Sequence, residues 1–198
     1  MMIYKKFITS LKVVKRVKIG GICKCVLGGT PSREHLAYWN GDINWINSGE
    51  LNNFRITKPS EKITKLGLLK SNTCLIPKNN VMIAITGATL GQVSLSCIDT
   101  CTNQSVVSII ENEKLKSEFI YPLIKEKIKD LKNLQTGGAQ QHINKGNVEN
   151  FEFDLPNDDE LKNYYSSVSS LYAKITKNCL LIEKLNELKQ LYLKKFFG

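Results

Sequence analysis

Three kinds of side chain in this sequence could do chemistry, and all of them suit recognition better than bond-making. Amides come first. Asn103-Gln104, Gln140-Gln141 and Asn144 carry carboxamides, whose adjacent donor and acceptor match the edge of an adenine. Cations come second: Arg33, and the short basic run Arg55, Lys58 and Lys62, offer guanidinium for guanine or charge for phosphate. Third, the hydroxyls of Thr30, Ser32 and Thr89 and the amide of Gln92 can hold phosphate oxygens, and His142 can donate to a base edge. A lone polar loop residue is usually only solvated. Their concentration in sharply turned loops makes the set a candidate interface.

No catalytic set is legible beside it. His35 and His142 are the only histidines, which leaves no Ser/His/Asp or Cys/His constellation. Gly87-Ala88-Thr89-Leu90-Gly91-Gln92 lacks the lysine of a phosphate loop, and Gly28-Gly29-Thr30 lacks the spacing of a dinucleotide fingerprint. An NPPF or NPPY tetrapeptide, as self-contained methyl transfer would need, is absent. Cys23-x-Cys25 and Cys97-x3-Cys101 are close pairs without ligand-knuckle spacing, and Cys74 and Cys179 stand apart. The expectation is reduced thiols, no metal, no cofactor and no enzyme activity.

The net charge of +10 favours a polyanionic partner, but the charge sits at the ends. Residues 1–18 hold six bases and no acids, residues 161–198 hold seven bases against two acids, and the centre is near neutral. A central domain that binds DNA therefore works through loop geometry, with general attraction from the termini. Lys outnumbers Arg 25 to 3, which reflects either function or a biased genome. The basic start resembles a transit peptide yet lacks a secretory apolar core, and no segment approaches the roughly 18 to 20 apolar residues of a membrane span. Cytoplasm is the default location.

The elements that must position these residues are short strands, then helices. Ile3, Phe7, Leu11 and Val14 recur at helical spacing in an otherwise ambiguous start. Strands are expected around Val17 and Ile19, at 74–76, 81–85, 93–95, 106–110 and 151–155, and a helix at 117–135. Residues 38–46, rich in aromatics and turn formers, read as a loop. The result is an α+β domain over 1–157 with a twisted, mainly antiparallel sheet. From Asp158 to Phe197 there is neither Gly nor Pro, and Val168, Leu171, Ile175, Cys179, Ile182, Leu185, Leu188 and Tyr192 recur every three or four residues. That is one long helix over 158–198, a rod of about 58 Å whose apolar stripe asks for a partner helix.

Several segments in this order resemble the target-recognition domain of type I restriction-modification specificity subunits. They are Val17-Lys18-Ile19-Gly20 running to Gly28-Gly29-Thr30-Pro31-Ser32; Tyr38-Trp39-Asn40-Gly41-Asp42-Ile43 with Trp45; Ala84 to Gly91; Cys101-Thr102-Asn103-Gln104-Ser105; and Gly138-Ala139-Gln140-Gln141-His142-Ile143 leading to Phe153-Asp154-Leu155-Pro156 and the long helix. The resemblance implies a body that reads one half of a split target in double-stranded DNA and a helix that spaces it from a second such body. It also implies a methyltransferase subunit docked on the assembly and a restriction subunit joined through the complex. The sequence departs from the pattern at Asn157-Asp158-Asp159-Glu160-Leu161, where a second proline and a Glu-Gln pair often stand, and it carries one domain and one spacer rather than two of each. A half subunit is expected, which either pairs with a second copy through antiparallel helices, with half-site centres between about one helical turn and about 17 base pairs apart, or is a truncated or exchangeable cassette. The alternatives are a specificity subunit of a related bifunctional restriction enzyme and a coiled-coil adaptor that binds only protein.

Overall fold

The computed structural model describes residues 1–11, 15–134 and 142–197. In chain order the elements are helix α1 (Met2–Ser10), strands β1 (Lys15–Lys18), β2 (Lys24–Leu27), β3 (Trp39–Ile46), β4 (Arg55–Ile56) and β5 (Glu61–Ile63), helix α2 (Lys65–Leu69), strands β6 (Val81–Ala84), β7 (Val93–Ser96), β8 (Cys101–Thr102) and β9 (Val106–Ile110), helices α3 (Ser117–Lys132) and α4 (Lys145–Asn150), strand β10 (Glu152–Leu155) and helix α5 (Asp158–Phe197). The central sheet runs β2-β9-β6-β7-β4, a three-stranded sheet runs β5-β3-β8, and β1 pairs with β10. The β4–β7 and β3–β8 pairs are parallel and the remaining pairs antiparallel. This is the mainly antiparallel α+β body followed by one long helix that the sequence pattern suggests.

The central sheet is covered on both faces, which is why β6 reads as an unbroken apolar run rather than an alternation. Val81 and Ile83 join the larger core beneath α3, while Met82 and Ala84 join Ile46, Leu51, Ile56, Ile76 and Val106 on the other side. The hub of the larger core is Phe119. Its ring lies 5.7 Å from Tyr4, 6.4 Å from Phe7, 6.2 Å from Phe153 and 6.1 Å from Tyr164, so one side chain joins α1, β10, α3 and α5. The helix at the start of the chain thus docks through Tyr4 and Phe7, whereas Ile3 is exposed. Pro122 sits inside α3 and has no N–H for the carbonyl of Glu118; the Tyr164 hydroxyl donates to that carbonyl at 3.0 Å instead.

Residues 39–46 correct the expectation of a loop. They form β3, with Asn40 at φ 62° and a register jump that sets both Trp39 and Ile43 opposite Ile63. Asn40-Gly41-Asp42 is turn chemistry used for a bulge inside a strand. Around it Trp39 and Trp45 pack edge-to-face at 5.1 Å, with Ile63 and Cys101 completing a small separate core. Cys74-Leu75-Ile76 makes only an isolated bridge, from Ile76 to Thr100.

The first three turns of α5 belong to the body, because Leu161, Tyr164 and Val168 are buried in the larger core. Val168, assigned from its spacing to the pairing stripe, is 2% exposed, so its apolar surface is already used. Beyond it, Leu180, Leu181, Leu185, Leu188, Leu191 and Tyr192 are exposed. All six cysteines are free, and burial pushes the Cys23 and Cys101 thiols up to about 11, which keeps them protonated packing groups. No described helix is long and apolar enough to cross a membrane.

Candidate nucleic-acid interface

Four loops meet at one end of the central sheet because β2 and β6 end there while β7 and β9 begin there. Leu27 pairs with Val107, Ala84 with Val106, and Ile83 with Val93. The loops are Gly28–Ser32, Thr86–Gln92, Asn103–Ser105 and His142–Asn144. Backbone bonds stitch them together: Gly28 N–H to Val106 O at 3.0 Å, Gly29 N–H to Thr102 O at 2.8 Å, Ile85 N–H to Ser105 O at 2.9 Å and Ile143 N–H to Ile85 O at 3.0 Å. Thr86 and His142 also form a bridge.

The Gly28–Ser32 loop is pinned from below by both tryptophans. The Trp45 indole donates to the carbonyl of Gly29 at 3.1 Å and the Trp39 indole to that of Ser32 at 3.0 Å. Glycine is required at this approach: a Cβ on Gly29 would lie 2.6 Å from the backbone nitrogen of Thr73. Gly29→Ala is expected to cost about 1 to 3 kcal/mol through overpacking against backbone, read as a lower urea midpoint. An unchanged midpoint would mean that the loop moves freely. Gly87 differs, since it has open space but φ +63°, a conformation costing an L side chain about 1 to 2 kcal/mol.

On this scaffold the candidate residues sort by what their groups already do. Gln104 is exposed, and the Thr30 hydroxyl donates to its Oε1. That bond fixes the carboxamide plane and leaves the amide hydrogens and one oxygen lone pair for a ligand, which is what a paired contact needs. Thr89 lies in the β6–β7 loop with its hydroxyl on the Thr86 carbonyl at 3.2 Å. Beside it Gln92 keeps a buried Oε1 without a hydrogen-bond partner among the described residues. His142 is exposed at the same edge. Gln140 and Gln141 lie outside the described residues.

Other candidates are committed elsewhere. Asn103 accepts from Ser105 N–H at 3.2 Å and closes its own turn. Asn144 caps α4 in a reciprocal pair with Asn147, at 2.9 and 2.8 Å. Ser32 accepts from Glu34 N–H at 3.3 Å. Arg33 stacks on Trp39 at 3.6 Å and forks onto Glu61, whose carboxyl is held below its usual value by that bond. Its half-exposed guanidinium is held in place under the loop by that pair. Lys62 is exposed on β5 next to that pair.

Arg55 and Lys58 do not reach this edge. Arg55 pairs with Leu95 and Ile56 with Ser96, at the end of β7 remote from the Thr86–Gln92 loop. Arg55 is buried among aromatic rings and Lys58, itself exposed, is ion-paired with Glu183 of α5, so the structure does not bring these two expected DNA contacts together with the loop residues. Sequence spacing cannot separate a solvated basic run from one that faces a distant helix. One residue the motifs missed is Lys132, in the last turn of α3: its Cδ lies 2.7 Å from where a Cβ of Gly91 would stand, bringing a cation to the β6–β7 loop. The only signal was its place at the C-terminus of the helical stripe.

The family model for the type I restriction modification DNA specificity domain matches residues 12–190, and the chain belongs to that family. Among curated relatives, the Escherichia coli type I restriction enzyme EcoR124I/EcoR124II specificity subunit is 29% identical over 148 residues, 72% of this chain and 37% of the relative. The Haemophilus influenzae type I restriction enzyme HindI specificity subunit is 26% identical over 177 residues, 87% of this chain and 38% of the relative. The crystal structure of the type I restriction-modification S subunit from M. genitalium superposes with a TM-score of 0.62 at 20% identity, covering 95% of this chain and 46% of that one. The HsdS subunit from Thermoanaerobacter tengcongensis gives 0.61 at 13% identity, covering 98% and 49%. At those identities the likeness shows a shared fold. The chain spans less than half the length of each of these proteins.

Proposed function

We propose that this chain is the DNA-recognition part of a type I restriction-modification system. It reads one half of a split target and directs a methyltransferase subunit, and through the complex a restriction subunit, without itself catalysing a reaction. The observation that carries the reading is the single edge of the sheet where Thr30, Gln104, Thr89, Gln92 and His142 converge on loops held by backbone bonds and two indoles. Rigid loops carrying amides and hydroxyls, with Lys62 and Lys132 beside them, are the parts that base-edge and phosphate contacts require. A near-neutral body makes the free chain a weak DNA binder, so a partner subunit supplies additional contact.

The test is DNA binding by the chain with its cognate methyltransferase subunit, scored on a random-sequence duplex library. Wild type is expected to enrich a defined target. Gln104→Ala should cost about 1 to 3 kcal/mol at one base position and relax the preference there. Lack of any enriched sequence would overturn the reading and leave a protein-binding adaptor. An enriched target that ignores Gln104→Ala would overturn the assignment of the reader.

A further inference from the structure

Along α5, Tyr172, Thr176, Cys179 and Glu183 follow one another at intervals of four, three and four residues, which stacks them in one line on the rod. Each meets the segment that runs from β4 towards β5, or the end of β7. The Tyr172 ring lies 5.4 Å from the guanidinium carbon of Arg55, which also faces Phe54 at 4.2 Å and Tyr121 of α3 at 5.0 Å. Arg55 is 6% exposed and donates to the Phe54 carbonyl at 3.1 Å. The Cys97 thiol, just past β7, lies beside Thr176. Cys179 shares a cleft of about 390 Å³ with Arg55, Lys58 and Glu183. Glu183 accepts from the Thr57 hydroxyl at 3.3 Å and pairs with the Lys58 ammonium.

We propose that Arg55–Lys58 forms a clasp that fixes the direction in which α5 leaves the body, and so sets the distance between the half-site this body reads and a second one. Arg55, Thr57, Lys58 and Glu183 are positioning residues in this arrangement, at the end of the sheet away from the recognition loops. The need for a clasp follows from burial. Past Val168 no residue of α5 is fully buried, so about four further turns and the free rod would otherwise hang on the first three turns alone. The rod extends about 43 Å beyond Val168, and a tilt of about 10° moves its tip by about 7 Å, roughly two base-pair steps. The line from Tyr172 to Glu183, whose members each meet the body while the rest of the distal helix apart from Ile175 is exposed, is then the device that holds the tilt.

The spacing half of this inference rests on the DNA reading above, whereas the mechanical half does not, and the experiment separates them. Lys58→Glu, Glu183→Lys and the double reversal are made in the full chain, with Arg55→Met as a second probe of the same contact. Hydrogen exchange is measured across residues 172–184. Binding with the methyltransferase subunit is measured on duplexes whose two half-sites are separated by different spacers. Lys58→Glu should raise exchange across the line by several-fold and broaden the preferred spacer, with the half-site sequence unchanged, and the double reversal should restore both. Exchange that is unaltered in Lys58→Glu would overturn the clasp even if Arg55→Met fails to fold. Raised exchange with an unaltered spacer profile, or a wild type without any spacer preference, would overturn its role in spacing. A wild type that selects no sequence at any spacing would instead defeat the DNA reading, leaving the exchange result to decide the clasp.

Discussion

Phe119→Ala is expected to destabilise the chain by about 3 to 5 kcal/mol, a large share of the roughly 5 to 15 kcal/mol that holds a domain folded. Phe119 is 0% exposed and its ring is the meeting point of four elements, so truncation opens a cavity that no single neighbour can fill. Tyr164 makes the loss cooperative. Its ring packs against Phe119 while its hydroxyl serves the Glu118 carbonyl left without a helical donor by Pro122. A cavity at Phe119 lets Tyr164 move and exposes that carbonyl to an unmet hydrogen bond. Urea unfolding followed by circular dichroism measures the difference, with Phe119→Leu as the milder companion. A loss below about 1 kcal/mol for the alanine variant would mean that the aromatic cluster collapses onto the gap and that α1 is not tied to the core through this ring.

What the sequence made legible follows from the range of the interactions involved. The long helix is set by local periodicity and by the lack of Gly and Pro over forty residues, and it begins at Asp158 as the acids of its first turn suggest. The glycine-bearing loops are legible for the same reason, since Gly28-Gly29 and Gly87 declare local backbone needs. The fate of Arg55 was not. Its burial depends on Tyr121 and Tyr172, which lie 66 and 117 positions away in sequence and are brought to it only by the packing of α3 and α5 on the sheet. Asn103 and Asn144 were legible as amides, but not that a nearby backbone N–H, of Ser105 and of Asn147, takes up each side-chain oxygen. Gln104, unlike its neighbour, is exposed and has Thr30 across the gap, a contact made by the β2–β9 register. β3 was misread because three consecutive turn formers in a bulge look like three in a loop.

Charged replacement at Leu185 and Leu188 is expected to separate the protein into monomers and to lower its affinity for a two-half-site target by about 10² to 10⁴, while binding to a single half-site is unchanged. The argument starts from exposure. Leu185 and Leu188 are 55% and 47% exposed, so Glu at both positions leaves the body intact. With Leu181 and Tyr192 they follow intervals of four, three and four residues, the seam of a two-stranded coiled coil. The stripe expected from sequence also contained Ile175, Cys179 and Ile182, but Cys179 and Ile182 line the cleft beside Arg55 and Ile175 is half-buried, so charge there would also disturb the clasp. The seam of the proposed pairing is therefore the distal one. Between α5 and the body runs a groove of about 990 Å³, whose walls include Leu95, Tyr172, Leu180 and Leu181, where the same seam from an antiparallel second copy would continue to bury apolar surface. Two copies joined this way would bind a symmetric, interrupted target as a bivalent ligand, and loss of the joint would remove the effective concentration of the second body without touching the first. Sedimentation velocity at micromolar concentration and binding to duplexes with one or two half-sites read the two effects independently. A wild type that sediments as a monomer would overturn the self-pairing and assign the distal seam to a helix of a different chain.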